Sequence, residues 1–165
     1  MDNMKTERIK WSDEYSVGIQ LIDDQHKELI NLTNNLYNHV TGNKEEERAY
    51  FDKVIQYVLD YVKNHFVTEE QCMLATNYSG YSEHKHRHDE FTFSVIKSIN
   101  EINTGKVLAL EKFADYLKEW ILTHIAVMDK QYNLYFKKTA AIGKDGKLSV
   151  VLANIINNNK SLLSK

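Results

Sequence analysis

The sequence predicts an all-α protein: an up-down-up-down antiparallel four-helix bundle, preceded by an irregular N-terminal arm and followed by an extra C-terminal helix. Three observations carry this. The 165 residues contain no proline, and proline is the residue that removes a donor and clashes inside a helix. Four long segments place apolar residues three and four apart, the helical period. Short stretches rich in glycine and asparagine separate those segments.

The first segment runs from about Ile19 to Val40, with Ile22, Leu29, Leu32 and Leu36 on one face. Thr41-Gly42-Asn43 ends it, and Gly42 sits where a left-handed cap belongs. The second runs from about Lys44 to Ala75, on a stripe of Phe51, Val54, Ile55, Val58, Leu59 and Val62. Asn77-Tyr78-Ser79-Gly80 breaks the chain before a third segment, about Tyr81 to Ile102, with Phe91, Val95, Ile96 and Ile99. After Asn103-Thr104-Gly105, a fourth runs from about Val107 to Phe136, with Leu110, Phe113, Leu117, Trp120, Ile121 and Ile125. Short connections make consecutive helices antiparallel neighbours. Residues 1–18 look irregular, with Trp11, Tyr15 and Val17 available to pack on the bundle. Residues 1–140 thus form the bundle unit. Residues 141–165 form an extension, in which Leu148, Val151, Leu152, Ile155 and Ile156 make a fifth apolar stripe.

Composition narrows the function. A net charge of -2 gives no pull toward nucleic acid. No apolar run approaches the roughly 20 residues of a membrane span. One cysteine, Cys72, excludes an intrachain disulfide, and the first ten residues carry charges rather than an apolar leader. A cytoplasmic protein with no nucleic-acid or membrane partner is expected.

The seven histidines need explaining. His26 lies on the first segment. His65 lies on the second, with Glu69 four residues on. His84 and His88 lie on the third, and His124 on the fourth, with Asp129 five residues on. Residues four apart on a helix share a face, so in an antiparallel bundle all four segments can aim donors at one level. Taken singly, each has a plainer reading. His26 is an ordinary core or surface histidine, His65 and Glu69 are a surface pair, and His84 to His88 is a charged, solvated face. Four separate segments supplying suitable groups together is what favours a metal.

The sequence resembles the hemerythrin family over about residues 9 to 136. Val17-Gly18-Ile19 and Ile22-Asp23-Asp24-Gln25-His26-Lys27 are similar to its first-helix signature. His65-Phe66-Val67-Thr68-Glu69-Glu70-Gln71-Cys72-Met73 matches H-F-x-x-E-E-x-x-M. His84 and His88 match H-x-x-x-H, and Trp120 to Asp129 matches W-x-x-x-H-I-x-x-x-D. Two departures stand out: Ser79 follows Tyr78 where the family often has proline, and Ile121 stands where it often has leucine.

The resemblance implies two non-haem iron ions with a bridging oxo or hydroxo group. His84, His88 and His124 would bind one ion and His26 and His65 the other, with Glu69 and Asp129 bridging. The first ion then has six donors and the second five, which leaves one position for molecular oxygen. Imidazole suits iron, and a histidine-rich shell favours reversible oxygen binding over oxidation of a substrate. The expected protein is therefore not an enzyme; it stores, delivers or scavenges oxygen. Two alternatives stay open. One is an oxygen or redox sensor that uses the C-terminal helix as a partner or homo-oligomer contact. The other is a di-iron enzyme acting on peroxide or nitric oxide.

Some residues look like decoys. His39 and His86 are expected at the surface, as is Glu70, which is turned about 100° from Glu69 on a regular helix. Glu83 with His86 mimics a ferritin-like pair without its companions. Cys72 reads as a buried core thiol. Phe66, Trp120, Ile121 and Ile125 read equally as core or as pocket wall. His124 and Asp129, five apart, would diverge by about 140° on a regular helix, so a local π-type widening is expected there.

Overall fold

The computed structural model describes residues 8–163. The part of the N-terminal arm before residue 8, the charged N-terminal residues among it, and the last two residues of the extension lie outside that range. Within it are five helices. Helix α1 is Gln20–Asn38. Helix α2 spans 44–75, built from Lys44–Tyr61, a π-helical turn Val62–Phe66, and Val67–Ala75. Helix α3 is Tyr81–Asn103. Helix α4 spans 110–138, built from Leu110–Trp120, a π-helical stretch Ile121–Met128, and Asp129–Lys138. Helix α5 is Val150–Leu163. Among the described residues no helix is long and apolar enough to cross a membrane.

The helix ends follow from capping chemistry. Asn43 accepts hydrogen bonds from the Glu45 and Glu46 amides and starts α2. Asn77, at φ 56°, closes it in the left-handed region, and the Tyr78 amide donates back to the Met73 carbonyl at 2.9 Å. Gly105, at φ 103°, plays the same part for α3, with the Lys106 amide on the Glu101 carbonyl. The fourth helix starts a few residues later than the apolar pattern predicts. Val107 is extended and exposed, and Leu108 tucks into the core instead.

The N-terminal arm is held by Asn34, which exchanges two hydrogen bonds with the Ile9 backbone, and by the carboxylate of Asp23. Asp23 accepts from the Val17 amide at 2.8 Å and from the Ser16 hydroxyl at 2.6 Å. Asp23 belongs to the first-helix motif, yet its role is to pin the arm rather than to face the other donors.

The buried apolar residues fall into two clusters. The larger joins Leu29, Leu36, Phe51, Val58, Phe66, Phe91, Val95, Leu117, Trp120, Ile121 and Ile125. The smaller joins Val17, Ile19, Ile22, Cys72, Met73, Tyr132 and Phe136 with Leu152 and Ile156 of α5. Helix α5 therefore folds back on its own bundle, against the second half of α2. Replacing Leu152, fully buried here, with alanine should cost about 2–4 kcal/mol of stability through lost burial and a residual cavity. Urea unfolding monitored by circular dichroism measures that cost. A change within error of zero would mean that α5 is not bound to the bundle in solution.

Candidate metal centre

Between the two apolar clusters lies a layer of seven donor side chains. His26, His65, Glu69, His84, His88, His124 and Asp129 are all 2% exposed or less. They come from α1, α2, α3 and α4, and all seven positions singled out in the sequence meet there. Their reactive atoms form two groups. Glu69, His84, His88 and His124 each place a donor atom within 4.8 Å of the others; so do His26, His65, Glu69 and Asp129.

Distances within the layer match donors gathered around cations. The Nε2 atoms of His84 and His124 are 3.1 Å apart, those of His88 and His124 are 3.1 Å apart, and those of His26 and His65 are 3.2 Å apart. Donors about 2.1 Å from one ion sit roughly 3.0 Å apart when adjacent in an octahedron, and roughly 3.4 Å apart in a tetrahedron. The observed spacing lies nearer the octahedral value.

The carboxylates are shared between the groups. Asp129 Oδ1 lies 3.2 Å from His84 Nε2 and 3.1 Å from His124 Nε2, while Oδ2 lies 3.2 Å from His26 Nε2. Glu69 Oε2 lies 3.2 Å from His88 Nε2, while Oε1 lies 3.5 Å from His65 Nε2. Each carboxylate thus turns one oxygen to each group, as a bridge between two ions requires. Both Asp129 oxygens and Glu69 Oε2 are buried without a hydrogen-bond partner. Orphaned buried carboxylate oxygens are expensive unless a cation meets them. The donor set fits a pair of metal ions.

Electrostatics agree. Burial acts to raise Glu69 and Asp129, yet the imidazoles around them hold both carboxyls well below the usual range. Burial lowers His65 to about 3. Burial also works against the charged form of His84, but the carboxylates of Asp129 and Glu69 close beside it outweigh that and raise its pKa to about 10. The layer thus holds two ionised carboxylates that demand positive charge close by.

Neighbouring groups aim the ligands. His65 Nδ1 lies 3.0 Å from Gln25 Oε1, and His88 Nδ1 lies 3.0 Å from Glu70 Oε1. With Nδ1–H donating to those oxygens, Nε2 keeps its lone pair for a metal. The Tyr132 hydroxyl donates to Glu69 Oε1 at 2.5 Å. Aromatic rings pack flat on three imidazoles: Phe66 on His88, Trp120 on His124 and Tyr61 on His65, with centroids 3.8, 3.9 and 4.3 Å apart.

The expectation for Glu70 needs correction: it is only partly exposed, and it orients His88. Its regular-helix angle from Glu69 is compatible with this, because α3 lies beside that face of α2. Pairings between helices depend on their relative rotation, which one segment's pattern does not contain. Gln25 was missed for the same reason. Tyr132 had a local signal, being three residues after Asp129 on the same helical face. His39 and His86 are exposed, and His39 stacks on Tyr50 at 3.5 Å. Cys72 is buried, and burial next to Glu69 pushes its thiol up to about 12, which makes it inert.

The expected widening is present. Ile121–Met128 is π-helical, and the Asp129 amide donates to the His124 carbonyl five residues back. That geometry brings residues five apart toward one face. A second π turn, Val62–Phe66, contains His65. Nothing in the sequence called for it, since His65 and Glu69 already stand at helical spacing.

A four-helix bundle with histidines and shared carboxylates buried between two apolar cores is a non-haem metal-binding bundle. Residues 17–134 match the Hemerythrin HHE cation binding domain, and the chain belongs to the hemerythrin family. A bacteriohemerythrin of Stenotrophomonas maltophilia (strain R551-3) is 30% identical over 122 residues, covering 74% of this chain and 77% of that protein. A bacteriohemerythrin of Methylococcus capsulatus is 28% identical over 120 residues, covering 72% and 88%. The myohemerythrin of Sipunculus nudus is 28% identical over 122 residues, covering 74% and 88%. Among solved structures, wild-type hemerythrin superposes with a TM-score of 0.66 at 26% identity, covering 78% of this chain and 97% of that one.

If Glu70 and Gln25 orient ligands, Glu70→Ala and Gln25→Ala should each weaken metal retention about 10- to 100-fold. Competition with a chelator of known affinity would read this out. Wild-type retention in both variants would reduce these contacts to packing.

Proposed function

We propose that this protein binds two non-haem iron ions and, through them, binds molecular oxygen reversibly without transforming a second substrate. His84, His88 and His124 would hold one ion and His26 and His65 the other, with Glu69 and Asp129 bridging beside an oxo or hydroxo group. The observation that carries the reading is the sharing of Glu69 and Asp129 between two unequal groups of histidines, three on one side and two on the other. The two-histidine side is short of a sixth donor, so an outside ligand has a place to bind. When bound, the iron pair supplies the electrons that oxygen takes up on binding and gives back on release.

The protein's own groups set the conditions. Phe66, Trp120, Ile121 and Ile125 are buried and line the larger-core side of the layer with apolar groups, which favours a reversible complex over hydrolysis and proton leakage. Tyr132 holds Glu69 in place from the opposite core. Helix α5 uses Leu152 and Ile156 on its own bundle, which favours a carrier over a sensor built on that stripe. A reducing cytoplasm suits both the lone thiol and ferrous iron.

The test is metal analysis together with absorption spectra of the anaerobically reduced protein before and after oxygen, and again after oxygen is removed. Two irons per chain and a reversible charge-transfer band are expected. Glu69→Ala and His124→Ala should each lose paired iron while keeping the helical far-ultraviolet signal. A stoichiometry of two retained in either variant would contradict the assignment.

A further inference from the structure

The buried polar atoms without partners sort into those a metal pair could satisfy and those it could not. Three carboxylate oxygens, on Glu69 and Asp129, are of the first kind. The hydroxyl hydrogen of Tyr61 is of the second kind, since it needs an acceptor and a cation offers none; the indole N–H of Trp120, also without a close partner, sits beside the Tyr61 oxygen. An unsatisfied buried donor is costly and calls for a reason.

Their placement supplies one. The Tyr61 ring lies on the face of His65, at 4.3 Å and 19°, so it stands over the two-histidine half. Trp120 lies on His124, over the three-histidine half, at 3.9 Å and 12°. Both rings meet Phe66, at 5.6 and 5.7 Å. Tyr61, Phe66 and Trp120 therefore form a roof across the layer on the side of the larger core. The Gln25 amide oxygen already meets His65 and the Tyr132 hydroxyl already donates to Glu69, while the unpartnered His26 Nδ1 lies on the far side of its ring from the Nε2 that faces the other donors. Tyr61 also lines a groove of about 710 Å³ between α1 and α2, whose apolar wall includes Leu29, Leu32 and Val54. Its hydroxyl is buried in the protein, beside the Trp120 indole.

We infer that Tyr61 is a specificity-determining residue that donates its phenolic hydrogen to the outside ligand of the two-histidine half, selecting small ligands that carry or gain negative charge there. The inference rests on the proposed iron-pair reading. It adds a hydroxyl donor to an aromatic roof. Oxygen, which gains electron density on binding, and azide, which arrives charged, share this chemistry. Carbon monoxide gains much less.

The test is Tyr61→Phe, which removes one oxygen atom and keeps the ring. Because the lost hydroxyl is unpartnered in the protein, the ligand-free variant should have a Tm at or above the wild type's. It should retain two irons. Azide titration of the oxidised form should show affinity reduced about tenfold, the size expected for one hydrogen bond to a charged acceptor. The azide stretching band should shift between H2O and D2O in the wild type, and this shift should vanish in the variant. Unchanged azide affinity with the D2O shift intact, in a Y61F protein holding two irons, would overturn this inference alone. Absence of paired iron in the wild type would overturn it together with the reading of the site.

Discussion

Two carboxylates sealed away from water, close enough to share the same imidazoles, are the constraint around which this bundle is arranged. Asp129 and Glu69 are fully buried, and two negative charges at that depth repel each other in a medium that screens poorly. Only concentrated positive charge resolves the conflict. Five imidazoles at contact distance provide the means to hold it, since they are neutral donors that bring ions in without adding anionic charge. The four helices must then converge at one level, because no single helix can present so many groups in the right direction.

The two apolar clusters follow from that need. A polar layer in the middle of a bundle weakens the core there, so hydrocarbon must close over both sides. The larger cluster also supplies flat rings that fix the imidazole planes, and the smaller one supplies the Tyr132 hydroxyl that steadies Glu69. Packing and chemistry are here the same contacts. Phe66 stacks on His88 and closes the core in one position.

Much of this was legible in the residue pattern because it is local or repeated. Apolar spacing located the helices, Asn43 and Gly105 marked boundaries, and the five-residue gap from His124 to Asp129 demanded a widened turn. What escaped was relational. Glu70 looks solvent-facing when α2 is considered alone, and becomes a partner of His88 only once α3 lies alongside. The turn at Val62–Phe66 left no trace, since the spacing beyond it is regular. Tyr61 carries no motif that singles it out. Its meaning depends on a hydroxyl that finds no partner, which is a property of the assembled interior rather than of any motif.

The smaller apolar cluster brings together parts of the chain that are far apart in sequence, Val17 and Ile19 with Leu152 and Ile156. The larger one is complete with residues that end near Ile125. A nascent chain can therefore close the upper core early, while the floor beneath the donor layer waits for residues more than a hundred positions downstream. Closing so long a loop is entropically unfavourable and comes late. A half-synthesised polypeptide would expose its histidines from below, and sealing of that layer becomes a final checkpoint of biogenesis.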